Sequence, residues 1–239
     1  WQPIGGASLV AAALGKGAPP ADREAFVNAL KAQPEAFAAF AHGVACLAES
    51  LPDQALAAFA MTAETIPNSP ALAALMLDAL ESAVTVEEPV QRAEAIVQQA
   101  AGDAGTWLAL AAFFRSRDNR EREGSAIQKA LELDGNNPLA WLTQARYLEQ
   151  GDDKAGAAAA YERVLATRPD DPVVSNNLAY LLLETGADTG RALELAQSAL
   201  EKAEGNPIIQ PHVLHTLGLA ELRMEKLEDA EQHLQMALQ

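Results

Sequence analysis

The chain has 239 residues, of which 49% are apolar and only 5% aromatic, a composition rich in Ala and Leu that favours close-packed helices. Its 17 Lys and Arg against 33 Asp and Glu give a formal charge of −16. Such a charge repels phosphate backbones and anionic lipids, so it argues against nucleic-acid binding and favours a neutral or basic partner. The single cysteine, Cys46, excludes an internal disulfide, and no apolar run is long enough for direct membrane insertion.

Residues 1–34 are predicted to form an N-terminal segment with a degenerate helix pair over residues 7–33. The second helix of this pair runs through Phe26 and Leu30. The segment lacks the basic region of a signal peptide, and because the chain begins with Trp1 rather than Met, we expect it to be an excised fragment. A targeting segment could have been cut away, so the compartment stays open between the bacterial cytoplasm and the periplasm.

A 34-residue period runs through the rest of the chain. Trp107 and Trp141 are 34 residues apart, and so are Ile127 and Tyr161. Within each period, amphipathic segments alternate with turn residues such as Gly151, so the pattern is helix, turn, helix, turn. We predict six helix pairs, at about residues 35–68, 69–102, 103–136, 137–170, 171–206 and 207–239.

Small residues recur in the middle of the first helices, as at Gly43 and Gly218, and early in the second helices. Helix axes approach closely only where side chains are small, and large residues such as Phe59 and Leu234 are expected to fill the gaps between helix pairs. Glu123 stands where the pattern expects alanine, which leaves the pairing at that point in question.

This pattern resembles the tetratricopeptide repeat family over roughly residues 35–239. In the first helix, the resemblance rests on an opening aromatic residue, here Trp107 and Trp141, and on a large-small pair, here Leu178-Ala179 and Leu217-Gly218. In the second helix, it rests on an early alanine with a large residue, here Ala157 with Tyr161, and on a closing proline, here Pro67 and Pro169. The resemblance implies an all-α fold, a right-handed superhelical solenoid of antiparallel helix pairs. In the family, the first helices line a concave surface that receives a partner peptide or helix.

The resemblance places eight predicted partner-binding residues on that surface: Asp78, Arg115, Leu142, Arg146, Asn176, Tyr180, Leu183 and His215. Arg and Tyr are frequent interface anchors, and an Asn can bond both ways to an extended backbone. Adjacent helical residues point about 100° apart, so Asn177 cannot share the role of Asn176. Because the family commonly carries Asn at the position of Asn177, we predict that this residue serves repeat packing.

Two groups of side chains are candidate metal ligands. His42 and Cys46 are one helical turn apart, but packing is the favoured interpretation. His212, His215 and His233 would have to converge, and nothing in the sequence brings them together. We therefore predict no metal and no cofactor. The chain also has no glycine-rich phosphate loop and no HExxH, CxxC or GxSxG motif, so we predict that it is not an enzyme.

Two stretches have unusual charge. Residues 115–123 concentrate four arginines, but the interleaved acids favour a solvated turn over an anion site. Residues 32–91 contain no Lys or Arg, so this acidic segment either steers a basic partner or forms a solubilising outer face.

The leading hypothesis is a non-catalytic scaffold that binds a protein or peptide partner. One alternative is self-assembly through the C-terminal helix, which has no polar capping helix after it; another is a hidden enzyme or a small-ligand or metal-binding module. Residues 176–207 and 213–238 resemble the C-terminal repeats of large bacterial proteins of exopolysaccharide export and exosortase-type protein sorting. That resemblance implies a role in the cell envelope.

Overall fold

The computed structural model describes residues 20–83, 88–100 and 102–238. These residues form thirteen α-helices and no strand, which confirms the all-α fold. In chain order the helices are α1 (Pro20–Ala32), α2 (Pro34–Ala48), α3 (Pro52–Thr65), α4 (Pro70–Ser82), α5 (Pro89–Gln99), α6 (Ala104–Ser116), α7 (Arg120–Leu133), α8 (Pro138–Gln150), α9 (Lys154–Thr167), α10 (Pro172–Thr185), α11 (Thr189–Ala203), α12 (Gln210–Arg223) and α13 (Leu227–Met236). None of these described helices is long and apolar enough to cross a membrane. The helix predicted through Phe26 and Leu30 is α1, whereas its expected partner before residue 20 lies outside the described residues.

The helices begin where the sequence supplies proline and a capping side chain. Seven of the helices α2 to α13 carry Pro at one of the first two helical positions. No intrahelical hydrogen bond is lost there, because the first N–H groups of a helix have no intrahelical partner. The carboxylates of Asp153, Asp171 and Asp188 accept hydrogen bonds from backbone N–H groups in the first turns of α9, α10 and α11. Each such cap stabilises its helix by about 1 kcal/mol.

The turns within the helix pairs share a backbone conformation. In each of five described turns, one residue has positive φ, namely Ser50, Asp118, Asp152, Gly186 and Glu225. A left-handed residue reverses the chain just after a helix ends. In the turn after α8 this residue is Asp152 with φ 62°, whereas Gly151 has φ −90°. The turn therefore does not depend on the conformational freedom of Gly151.

The helices pack as pairs within two compact units, one ending at Gly135 and the other beginning at Asn136. In the first unit, α2 packs on α3, α4 on α5 and α6 on α7; in the second, α8 packs on α9, α10 on α11 and α12 on α13. Within each unit, the second helix of a pair also packs on the first helix of the next pair. Each unit is thus an array of helix pairs, and we call the side of a unit formed by its first helices, away from the second helices, its first-helix face.

The small residues lie where the helices come closest. A Cβ added at Gly43 would stand 2.5 Å from Cε1 of Phe59, and one at Gly218 would stand 2.6 Å from Cγ of Leu234. Both distances are shorter than van der Waals contact, so only glycine fits at these two positions. The predicted close approach at the small residues is confirmed, but Phe59 and Leu234 fill the contact within a helix pair rather than the gap between pairs.

Glu123 does not prevent the pairing of α6 with α7, which the sequence had left in question. The two helices pack together, and the Glu123 side chain is only 4% exposed. Burial raises the pKa of its carboxyl, while the charges of Arg115 and Arg120 act in the opposite direction. A carboxyl thus occupies a helix contact at which other pairs place alanine.

Candidate functional site

Helix α8 contributes two of the predicted partner-binding residues to the first-helix face of the second unit. Leu142 and Arg146 lie one helical turn apart; Leu142 is half-buried against the hydrophobic core, and Arg146 is exposed. The side chain of Arg146 lies close enough to the hydroxyl of Tyr161 for its charge to act on that group. Arg146 therefore combines an accessible guanidinium with a fixed polar neighbour.

Helix α10 contributes Asn176 and Tyr180, also one turn apart. Tyr180 is 42% exposed, a large fraction for an aromatic side chain of a folded unit. Asn176 is half-buried, and its Oδ1 atom is covered by protein yet accepts no hydrogen bond. An amide oxygen in this state has lost its water without gaining a donor, which is unfavourable by about 1–3 kcal/mol. This unsatisfied acceptor is the strongest indication of a ligand contact on the face.

Asn177 has the packing role predicted for it. Its Nδ2 donates to the hydroxyl of Tyr161 over 3.3 Å, and that hydroxyl donates to Oε2 of Glu149 over 2.6 Å. Burial raises the pKa of the fully buried Tyr161, and its hydrogen bond to Glu149 adds to the rise. The network joins α8, α9 and α10, so neighbouring helix pairs are held in register by these three side chains.

The remaining predicted residues of the second unit differ in exposure. His215 on α12 is exposed, in agreement with a place on the surface. Leu183 on α10 is only 3% exposed and belongs to the hydrophobic core. The prediction that Leu183 binds a partner is therefore wrong. This apolar side chain lies one helical turn beyond Tyr180 and packs into the core.

Asp78 and Arg115 lie in the other unit, on α4 and α6. Both are exposed by area. Neighbouring protein atoms nevertheless partly desolvate the carboxyl of Asp78, which raises its pKa, and the carboxylate of Glu81 raises that pKa further. The charge of Arg115 lowers the pKa of the buried Glu123 carboxyl and so opposes the rise that burial causes. These two residues thus lie on first helices of the first unit, whereas the other six predicted residues, including the buried Leu183, lie on first helices of the second.

Three of the candidate metal ligands, His42, Cys46 and His233, have described side-chain contacts. The buried Cys46 Sγ lies 3.8 Å from Nδ1 and 3.7 Å from Nε2 of His42, a contact between side chains one turn apart on α2. Nδ1 of His233 lies 2.7 Å from Oε2 of Glu221, and Glu221 is only 4% exposed. Over the described ranges, no cluster of three or more His, Cys, Asp or Glu side chains could hold a metal ion.

Two arginines that bind backbone were not identified from the sequence. Nη2 of Arg117 donates to the carbonyl oxygens of Leu80 and Glu81 over 3.2 and 3.3 Å, and its guanidinium lies 3.9 Å from the ring centroid of Phe113. Arg223 donates in the same way to Leu183. The available signal was a basic residue at the end of a first helix, but the sequence does not say which carbonyl it meets.

Comparison with known proteins gives one curated relative. A TPR repeat-containing protein of Pseudomonas aeruginosa is 30% identical over 163 residues, which are 68% of this chain. The chain spans about a quarter (27%) of that relative's length. No protein-family model matches the chain.

Solved structures show the same fold at low identity. A crystal structure of MamA has a TM-score of 0.55 and 14% identity, covering 82% of this chain and 92% of MamA. A crystal structure of the APC/C hetero-tetramer Cut9–Hcn1 has a TM-score of 0.56 and 15% identity, covering 96% of this chain and 44% of that one. A thermophilic TPR protein of Thermus thermophilus has a TM-score of 0.51 and 19% identity, covering 76% of this chain and 98% of that one. These likenesses show the fold, and the curated relative is a protein that contains TPR repeats.

Proposed function

Because the chain is a tetratricopeptide-repeat protein, we propose that it is a non-catalytic scaffold that binds a neutral or basic peptide on the first-helix face of its second unit. The observation that carries the proposal is the buried and unpaired Oδ1 of Asn176. A peptide N–H would supply the missing donor. The terminal torsion of an Asn side chain is soft, so a rotation of the amide turns this oxygen toward the half-exposed side.

Three neighbouring side chains would complete the site. The ring of Tyr180 offers an exposed aromatic surface one turn from Asn176, and Arg146 offers guanidinium donors for a peptide carbonyl. Leu142, half-buried one turn before Arg146, provides an apolar contact beside it. This combination suits an extended backbone held by hydrogen bonds and flanked by apolar side chains.

The net charge of −16 favours basic or neutral peptides, because it raises the encounter rate of cations and repels anions. The cellular setting that the resemblance of the C-terminal repeats favours is a bacterial cell-envelope system for exopolysaccharide export or protein sorting. That setting is part of the proposal and is tested by the identity of the partner.

The experiment is a peptide selection followed by titration. A displayed random-peptide library is selected on the intact chain, and the retained peptides are titrated calorimetrically into the wild type, the Tyr180→Ala/Arg146→Ala variant and an Arg191→Ala control. We expect the double variant to keep its helicity and melting temperature but to bind at least about tenfold more weakly, since truncated interface anchors cost on the order of 2 kcal/mol. The control, on the exposed side of α11, should bind like the wild type. Equal affinity for the double variant would place the peptide site elsewhere.

Self-association is a second candidate, favoured by apolar side chains on the last described helix. Leu227 is 63% exposed and Met236 is 41% exposed, and Leu222 on the preceding helix is 48% exposed. Exposed apolar surface of this kind marks a contact with protein. Light scattering coupled to chromatography tests it: a concentration-dependent mass that Leu227→Glu abolishes supports self-association, and a monomer at high concentration contradicts it.

A further inference from the structure

The second unit has a groove on the side of its second helices, away from the first-helix face. It lies between α11 and α13 with α12 as its floor, and its volume is about 570 Å³. Small-molecule pockets typically have volumes of about 300–1,000 Å³, so the groove is large enough for a ligand. We call it the α11–α13 groove. The lining residues that carry the argument are Glu201, Glu204, Leu217, Glu221, His233 and Met236.

Two of these residues are polar at positions that are apolar elsewhere in the repeat. Glu221 stands three residues after the small residue Gly218, and His233 stands three residues after the early alanine Ala230. The first helices α2, α6, α8 and α10 carry an apolar residue at the position of Glu221, namely Cys46, Phe114, Leu148 and Leu182. The other second helices carry an apolar residue at the position of His233, namely Ala58, Ile96, Ala126, Ala160 and Leu195. Departures from a local sequence rule are concentrated at functional sites, so this pair is a candidate for one.

The carboxylate of Glu221 is only half satisfied. Glu221 is almost fully buried, and its Oε2 lies 2.7 Å from Nδ1 of His233. With the proton on Nδ1, the imidazole donates this hydrogen bond and fixes the orientation of the carboxylate. Oε1 makes no hydrogen bond within the described part of the chain, although Glu221 lines the groove. A buried carboxylate is unfavourable unless it is paired, so a cation in the groove is the partner that Glu221 lacks.

The charge of the groove also favours a cation. Glu201 and Glu204 are exposed at its rim, so the groove carries three carboxylates with Glu221, and none of its described lining residues is Lys or Arg. In the equivalent groove between α9 and α11, the acidic side chains are accompanied by Arg191, which pairs with Glu194 over 3.5 Å. The unbalanced carboxylates of the α11–α13 groove raise the local concentration of cations.

We propose that the α11–α13 groove binds one organic cation, a primary ammonium or a guanidinium on an unbranched alkyl chain. Its cationic head donates a charge-assisted hydrogen bond to Oε1 of Glu221. Its alkyl chain lies on Leu217 and Met236, because long cationic groups bury their apolar stems along apolar surface. Lysine and arginine side chains of a protein share this chemistry with free polyamines. The groove is separate from the peptide site proposed on the first-helix face, and neither proposal depends on the other.

The test is an NMR titration of the intact, isotope-labelled chain with butylammonium chloride. Butanol, which has the same alkyl chain without the charge, and sodium chloride at equal ionic strength are the controls. We expect saturable shifts of the groove-lining amides of α11, α12 and α13 with butylammonium alone. Glu221→Gln keeps the size of the side chain but removes its charge, so affinity should fall at least about tenfold, the effect of losing a hydrogen bond to a charged group. Glu162→Gln, in the equivalent groove between α9 and α11, is the matched control and should bind like the wild type.

A second variant keeps the test decisive if Glu221→Gln unfolds. Glu221→Leu/His233→Leu introduces the residue type that Leu182 and Leu195 supply at the equivalent positions of the preceding pair. It should melt at or above the wild-type temperature, because a buried polar pair is often no more stable than packed apolar side chains, but it should lose saturable binding. Binding that survives in this variant, or that butanol reproduces, overturns the proposal. The absence of saturable shifts in the wild type overturns it without any variant.

Two further ligands distinguish the sources of the cation. Tighter binding of capped glycyl-lysyl-glycine or glycyl-arginyl-glycine than of spermidine indicates a protein side chain, whereas the reverse order indicates a free polyamine. Either order supports the cation site if Glu221→Gln weakens the binding. The Tyr180→Ala/Arg146→Ala variant should bind butylammonium like the wild type. A loss of butylammonium binding in that variant would place the cation on the first-helix face and contradict the proposal.

Discussion

Nη1 of Arg223 donates a hydrogen bond of 2.6 Å to the carbonyl oxygen of Leu183, so the C-terminal end of α12 is bonded to the C-terminal turn of α10. The carbonyl oxygen of Leu183 also accepts from the N–H of Gly186, and it lies at the negative end of the helix dipole, where a guanidinium is favourable. Arg117 does the same for α4 from the end of α6. Each unit thus contains one arginine that ties successive first helices together at their C-terminal ends.

Replacing Arg223 with alanine should destabilise the second unit. The lost bond involves a charged donor and a half-buried acceptor, so we expect the free energy of unfolding to fall by about 1.5–3 kcal/mol. Urea unfolding measures the change. Arg191→Ala is the control, because the ion pair of Arg191 with Glu194 is long, at 3.5 Å, and exposed on both sides. Its loss should cost less than about 0.5 kcal/mol; equal effects of the two variants would refute the capping role.

Gly43→Ala should destabilise the first unit despite the better helix propensity of alanine. The new Cβ would overlap the ring of Phe59, which is fully buried and has no room to move. Overpacking of this kind costs about 1–3 kcal/mol, against a propensity gain of at most about 1 kcal/mol. Gly190→Ala is the matched control, since its Cβ would meet nothing closer than 3.5 Å. Thermal and urea unfolding should show loss in the first variant and none in the control; a stabilised Gly43→Ala would disprove the steric argument.

The two adjacent asparagines should give opposite results when replaced by alanine. Asn177→Ala removes the bond to Tyr161, so the free energy of unfolding should fall by about 1 kcal/mol while peptide affinity stays the same. Asn176→Ala removes an unpaired buried oxygen, so stability should be unchanged or higher while affinity for a selected peptide falls. Unfolding and titration of each variant check both halves. A stable Asn177→Ala that binds weakly would reverse the two assignments.

Glu123→Gln should stabilise the chain at neutral pH. Because the pKa of Glu123 is raised in the folded state, its ionised form at pH 7 is better accommodated in the unfolded chain, and removing the charge favours folding. As the pH falls through the raised pKa, the folded wild type takes up the proton first, so the advantage of the variant shrinks and vanishes below the ordinary value of 4.5. Urea midpoints at pH 7 and below pH 4.5 measure this trend, with the exposed Glu121→Gln as control. A variant less stable than the wild type at pH 7 would mean that attraction to Arg115 and Arg120 outweighs burial.

The all-α fold could be predicted from the sequence, because the signals that define its helices are local. Proline at helix starts, glycine opposite Phe59 and Asn177 beside the large-small pair all act within one repeat or between neighbours. Leu183 was misplaced because an inner and a core position differ by a rotation of about 100° about the helix axis, which a repeat alignment does not resolve. The hydrogen bond from Arg223 to Leu183 and the packing of α1 on α2 and α4 could not be predicted. Both depend on contacts between helices, and no sequence motif identifies the partners in these contacts.

In four of the five turns within helix pairs described above, the left-handed residue is Ser, Asp or Glu rather than Gly. Each of the four holds a strain of about 1 kcal/mol that glycine would relieve. The five turns thus share a backbone shape without sharing the residue that adopts this shape most easily. A fold whose turns accept several residue types is compatible with the 14–19% identity between this chain and solved structures that share its fold.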